Sequence, residues 1–112
     1  MTFTADKNLD RDVDKQVYVA AALPRFELGQ VVATPGALQL LQDSCVDPLS
    51  LVQKHASGCW GTISQRDAKA NEDALLLGDR LLSSYLLPNG GVIWIETSSD
   101  RSVTTVLRPD EW

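Results

Sequence analysis

The period of the hydrophobic pattern changes at Gly78, and no other feature of the chain restricts the fold as much. Before it, apolar residues recur at helical spacing; after it, they alternate. Three helix starts precede the change. "ATPGALQLLQDS" (Ala33–Ser44) offers Thr34 as N-cap and Pro35 at the first helical position, where a missing N–H costs nothing. "DPLSLVQKHASG" (Asp47–Gly58) repeats that signal with Asp47 and Pro48, and Gly58 suits a left-handed C-terminal cap. In "ISQRDA" (Ile63–Ala68), Ser64 and Asp67 have capping-box spacing, and Ile63 and Ala68 occupy the hydrophobic-staple positions. This third helix runs through "AKANEDALLL" to Gly78.

Alternation then takes over. "RLLSSYLL" (Arg80–Leu87), "VIWIET" (Val92–Thr97) and "VTTVLR" (Val103–Arg108) read as strands, joined by turns at "PNGG" and "SSDRS". The order predicts an α+β fold: about three short helices, then a three-stranded antiparallel meander, with the helices on one sheet face. "FELGQVVA" (Phe26–Ala33) can add an N-terminal edge strand. Residues 25–112 should form a single domain. Residues 1–24 read as a mobile or loosely attached extension, because "ADKNLDRDVDK" buries no apolar surface, although Val17–Ala22 could form a strand or short helix.

Composition narrows the function classes. With 15 acidic against 10 basic residues, net charge is −5, which argues against the Lys/Arg stripe of a large nucleic-acid surface. Cys45 and Cys59 are too few for a disulfide framework. "VYVAAALP" (Val17–Pro24) is too short to span a membrane, and Asp10, Asp12 and Asp14 stand where a signal peptide would be positive. A cytoplasmic protein with reduced thiols, no membrane association and no cofactor is expected.

"KHASGCWGT" (Lys54–Thr62) holds the only histidine of the 112 residues. Pro48, Leu51, Val52 and His55 fall on one helix face, so His55 points toward the core in the last turn, where the helix dipole and free carbonyls favour it. The stretch is first a helix terminator; proton transfer by His55 is the functional alternative. His55 and Cys59 are too few for a metal site, and a Gly-containing helix end does not guarantee thiolate–imidazole geometry. Trp60 should cover the junction of the second and third helices.

There is no phosphate-binding glycine loop and no GxSxG elbow, and the adjacent Glu72 and Asp73 point about 100° apart on a helix. Along "VIWIET", Val92, Trp94 and Glu96 share one face, opposite Ile93, Ile95 and Thr97. If the isoleucines face the helices, Trp94 and Glu96 lie on an open face that Arg80 and Thr104 could join, with Arg101 in the next turn and His55 at the rim. Such a cluster could cleave RNA without metal: Glu96 as base, Arg80 and Arg101 stabilising the phosphorane, His55 as acid. Cross-strand Arg–Glu and Thr–Thr pairs on a solvated face explain the same residues more economically.

"RFELGQVVATPGALQLL", "HASGCWG", "NEDALLLGDRLLSSY" and "IWIETSSDRSVTTVLRPDEW" resemble a family of small plasmid-related proteins carried on bacterial plasmids and integrative elements. The resemblance covers Arg25 to Trp112 and implies a mobile-element setting rather than a mechanism. Many members carry Asp, in "GDWG", where this chain has Cys59; if that Asp matters in the family, this chain departs from the pattern and Cys59 loses standing as a catalytic residue. Some are labelled subunit M of a type I restriction enzyme. A methyltransferase reading fails here, because the chain has no Asn-Pro-Pro-aromatic motif and is too short for a doubly wound domain. The order of elements is loosely similar to barnase-like ribonucleases, a likeness of fold that assigns no function.

Two expectations follow. The first is a mobile-element accessory protein acting through protein–protein contacts, modulating host defence or plasmid maintenance, with self-association compatible. The alternative is a metal-independent barnase-like ribonuclease or toxin acting on RNA through His55, Arg80, Glu96, Arg101 and Thr104.

Overall fold

The structure, a computed structural model, describes residues 24–112. The expectations for an N-terminal extension and for a strand or helix at Val17–Ala22 lie outside the described residues. From Pro24 on, the order is β1 (Gln30–Ala33), α1 (Pro35–Asp43), α2 (Pro48–Ala56), α3 (Gln65–Leu77), β2 (Leu81–Leu86), β3 (Val92–Thr97), β4 (Val103–Leu107) and a 3-10 turn (Pro109–Glu111). This is an α+β fold.

Local chemistry sets the helix ends. The Thr34 hydroxyl accepts the Ala37 N–H at 3.0 Å, the Asp47 carboxylate accepts that of Leu49, and the Ser64 hydroxyl accepts that of Asp67 at 3.0 Å. Pro35 and Pro48 open their helices, and Gly78 closes α3 at φ 76°, a left-handed conformation that costs a side-chain-bearing residue more. Glu72 and Asp73 go separate ways: Glu72 grips the Arg25 guanidinium with both oxygens, and Asp73 pairs with Lys69 one turn back.

The strands form one four-stranded sheet in the order β1-β4-β3-β2. The expected meander is present, with Leu82 opposite Glu96 and Thr97 opposite Thr104. The edge strand is also present but runs parallel to β4, Gln30 beside Val103, which makes the sheet mixed. Gly29 (φ 65°) permits this close approach, because a Cβ there would overlap the Ser102 carbonyl.

All three helices pack on one face. Ala37, Leu41, Leu51 and Val52 bury against Tyr85, Ile93, Ile95 and Val106, while Ala74 of α3 and Trp60 bury against Leu81. The outer edge of β2 is covered. Asn71 bonds both the N–H and the C=O of Leu82, and the Trp60–Thr62 segment takes both main-chain groups of Ser84. No helix among the described residues is long and apolar enough to cross a membrane.

Candidate functional site

Leu51, Val52, His55 and Ala56 form the buried face of α2, so the helical spacing does turn His55 inward. Its imidazole is 0% exposed, beneath the helix-facing side of the sheet and not at the rim of the opposite side. Phe26 meets the ring edge-on at 5.2 Å between centroids, and Trp60 at 5.8 Å. Nδ1 contacts the Ser83 hydroxyl, and Nε2 lies 2.9 Å from the Thr97 hydroxyl. Thr97 lies 2.7 Å from Thr104, whose hydroxyl reaches the Leu28 carbonyl at 2.7 Å.

One carbonyl orders every proton in this chain of groups. A carbonyl only accepts, and each hydroxyl has one proton to give. Thr104 therefore donates to Leu28, Thr97 donates to Thr104, Nε2–H donates to Thr97, and Nδ1 accepts from Ser83. The ring is a neutral Nε2–H tautomer satisfied at both nitrogens. Burial first, and the positive charge of Arg101 second, hold its pKa down to about 4. Ser83 beside an imidazole has the make-up of a nucleophile and base, but Ser83, His55, Thr97 and Thr104 are all 0% exposed. No substrate reaches them, and the arrangement performs structural work.

On the opposite face Val92, Trp94 and Glu96 are half-buried, as alternation predicts, and Arg80 lies 3.7 Å from Glu96. Trp112 stands edge-on to Trp94 at 5.6 Å, and the Arg80 guanidinium sits 4.8 Å from its ring centroid. The 3-10 turn is pinned there by Glu111, which accepts from the Thr34 hydroxyl and the Arg108 N–H, both at 2.7 Å. With Leu82, Leu86, Val103 and Thr105, this makes a partly apolar surface framed by one ion pair.

The sheet thus divides the five residues of the ribonuclease cluster. Arg80 and Glu96 do come together. Thr104 does not join them: its register opposite Thr97 puts it on the helix-facing side, and its hydroxyl is spent on Leu28. His55 is behind the sheet for the same reason of phase. Arg101 turns toward the end of α3, where its guanidinium donates to the Asp79, Ser98 and Ala74 carbonyls at 2.6, 3.0 and 3.1 Å. It holds a turn in place rather than facing a phosphate.

Trp60 does cover the α2–α3 junction, its indole N–H donating to Glu72 at 3.1 Å. Cys59 is exposed beside the Ser57 hydroxyl, and both nitrogens of His55 are occupied elsewhere. Among the described residues no three His, Cys, Asp or Glu side chains group to hold a metal. Sequence reasoning missed Ser83 and Thr97, although a signal existed: each is polar yet in phase with buried apolar residues of its strand. It also missed Trp112, which the sheet brings to Trp94. No protein-family model, no curated protein and no solved structure matches the chain.

Proposed function

We propose that this chain is a cytoplasmic accessory protein of a mobile element that acts by binding another protein through the helix-free face of its sheet. One observation carries the reading: the only histidine is sealed behind the sheet with Ser83, Thr97 and Thr104, while Trp94, Trp112, Arg80 and Leu86 stand in front of it. Aromatic side chains and arginine at the centre of a half-exposed apolar patch are the usual energetic anchors of protein interfaces. The mobile-element setting rests on the family resemblance, and modulation of host defence or plasmid maintenance suits it. The ribonuclease alternative has no comparable support, since its acid and its base occupy opposite sides of the sheet.

The test is affinity capture from host lysate with wild type, Trp94→Ala and Arg80→Glu. Wild type should retrieve a defined host protein, and both variants should lose it while keeping wild-type circular dichroism. A wild-type protein that retrieves nothing, or variants that retrieve as well as wild type, would end this reading. Cleavage of labelled RNA in chelator, abolished by Glu96→Gln, would establish the alternative instead.

A further inference from the structure

We infer that β1 is a self-association edge: two copies of this chain pair their β1 strands antiparallel about a two-fold axis at Val32, joining two four-stranded sheets into one. Gln30 and Thr34 donate their N–H groups to Ser102 and Val106 of β4. In a parallel ladder both main-chain groups of a residue point the same way, so Gln30, Val32 and Thr34 address β4, and Val31 and Ala33 address the outside. Among the described residues no hydrogen bond reaches the outward groups of Val31 and Ala33.

The two edges of the sheet are treated differently. The β2 edge is closed by Asn71 and the Trp60–Thr62 segment, whereas the β1 edge, protected only by its length of four residues, has no charge, proline or bulge in Gln30–Ala33. Instead it displays Val31 (42% exposed) and Val32 (38%). Leu38 of α1 (46% exposed) adds to them. Helical spacing puts Leu38 on the flank of α1 opposite Leu40, and Leu40 packs at Gly91 beside β3, so Leu38 lies on the β1 side.

A second copy fits this edge better than an arbitrary strand, because the edge is complementary to itself. Centred on Val32, antiparallel pairing sets Val31 against Ala33 of the other copy twice, and each pair exchanges two hydrogen bonds. Val32 meets Val32, and Gln30 meets Thr34. No ionised side chain lies in the seam, so two chains of net charge −5 meet along an uncharged line. Four strand residues and one leucine per copy are less than a standard interface needs, so the dimer is concentration-dependent rather than permanent.

Sedimentation of the full chain over a concentration series tests this. The mass should rise from monomer toward dimer. Val32→Lys alone and Val32→Glu alone should each stay monomeric, since like charges would face one another at the axis. An equimolar mixture of the two should recover the dimer, and circular dichroism should show wild-type folding throughout. A full chain that stays monomeric at every concentration overturns the proposal. So does a Val32→Lys variant that dimerises like wild type, or a mixture that remains monomeric. A protein that stays monomeric as the full chain and dimerises only once residues 1–23 are removed would place the chain's own N-terminal segment on the edge, and overturns it equally.

Discussion

His55 shows how much one buried polar residue can organise. Its place facing the core was legible in the spacing of Leu51, Val52 and His55; its partners were not, because Ser83, Thr97 and Thr104 arrive from three strands and Leu28 from the segment before β1. The low proton affinity of the ring has a definite sign. The unfolded chain takes up a proton near pH 6.5 and the folded chain only near 4, so stability is complete above about 6.5 and declines as pH falls toward 4. Denaturant titrations at pH 7 and pH 4.5 should differ by about 2–3 kcal/mol, and His55→Gln should flatten most of that difference. The carboxylates that salt bridges hold below their usual range, Glu72 and Asp110, act mainly below this window. Nitrogen NMR should find the proton of the neutral ring on Nε2. Thr104→Val removes the group that orients the chain, strands the Leu28 carbonyl, and should cost about 1–3 kcal/mol in unfolding free energy.

At the scale of elements, the helices were legible and the phase of the last strand was not. Thr34, Asp47, Ser64 and Gly78 act on their own first or last turns, so a reader of the sequence has everything that decides them. Which of Thr104 and Thr105 faces the helices depends on the turn between β3 and β4, and one residue more or less would exchange them. That turn is set by Asp100, which accepts from the Ser98 and Ser102 hydroxyls, and by Arg101 in a left-handed conformation at φ 61°. Three seryl and main-chain hydrogen bonds hold the Asp100 carboxyl down to about 2. Arg101 then ties the turn to the carbonyl end of α3. Arg101→Ala should loosen α3 and the turn together, lowering stability by about 1–3 kcal/mol and raising the pKa of His55, both readable by denaturation and by histidine NMR.

For the molecule as a whole, the helix-facing and helix-free sides of the sheet were legible from Ile93 and Ile95 against Trp94 and Glu96, and the structure keeps that division. The closure of the sheet by a parallel β1 was not legible, because it joins residues roughly seventy positions apart with no local signal beyond a β-branched pair. Gly29 is where that closure is decided. Gly29→Ala should press a methyl into the Ser102 carbonyl, detach β1, and speed amide exchange at Val32 and Thr34 far more than in β2 and β3.

The β1–β4 pairing also has a consequence for synthesis. The first described strand to leave the ribosome must wait for the last one before it can be stitched into place. Until β4 emerges, β1 has no partner in the sheet, so the roughly seventy residues between them are made while β1 is still unpaired.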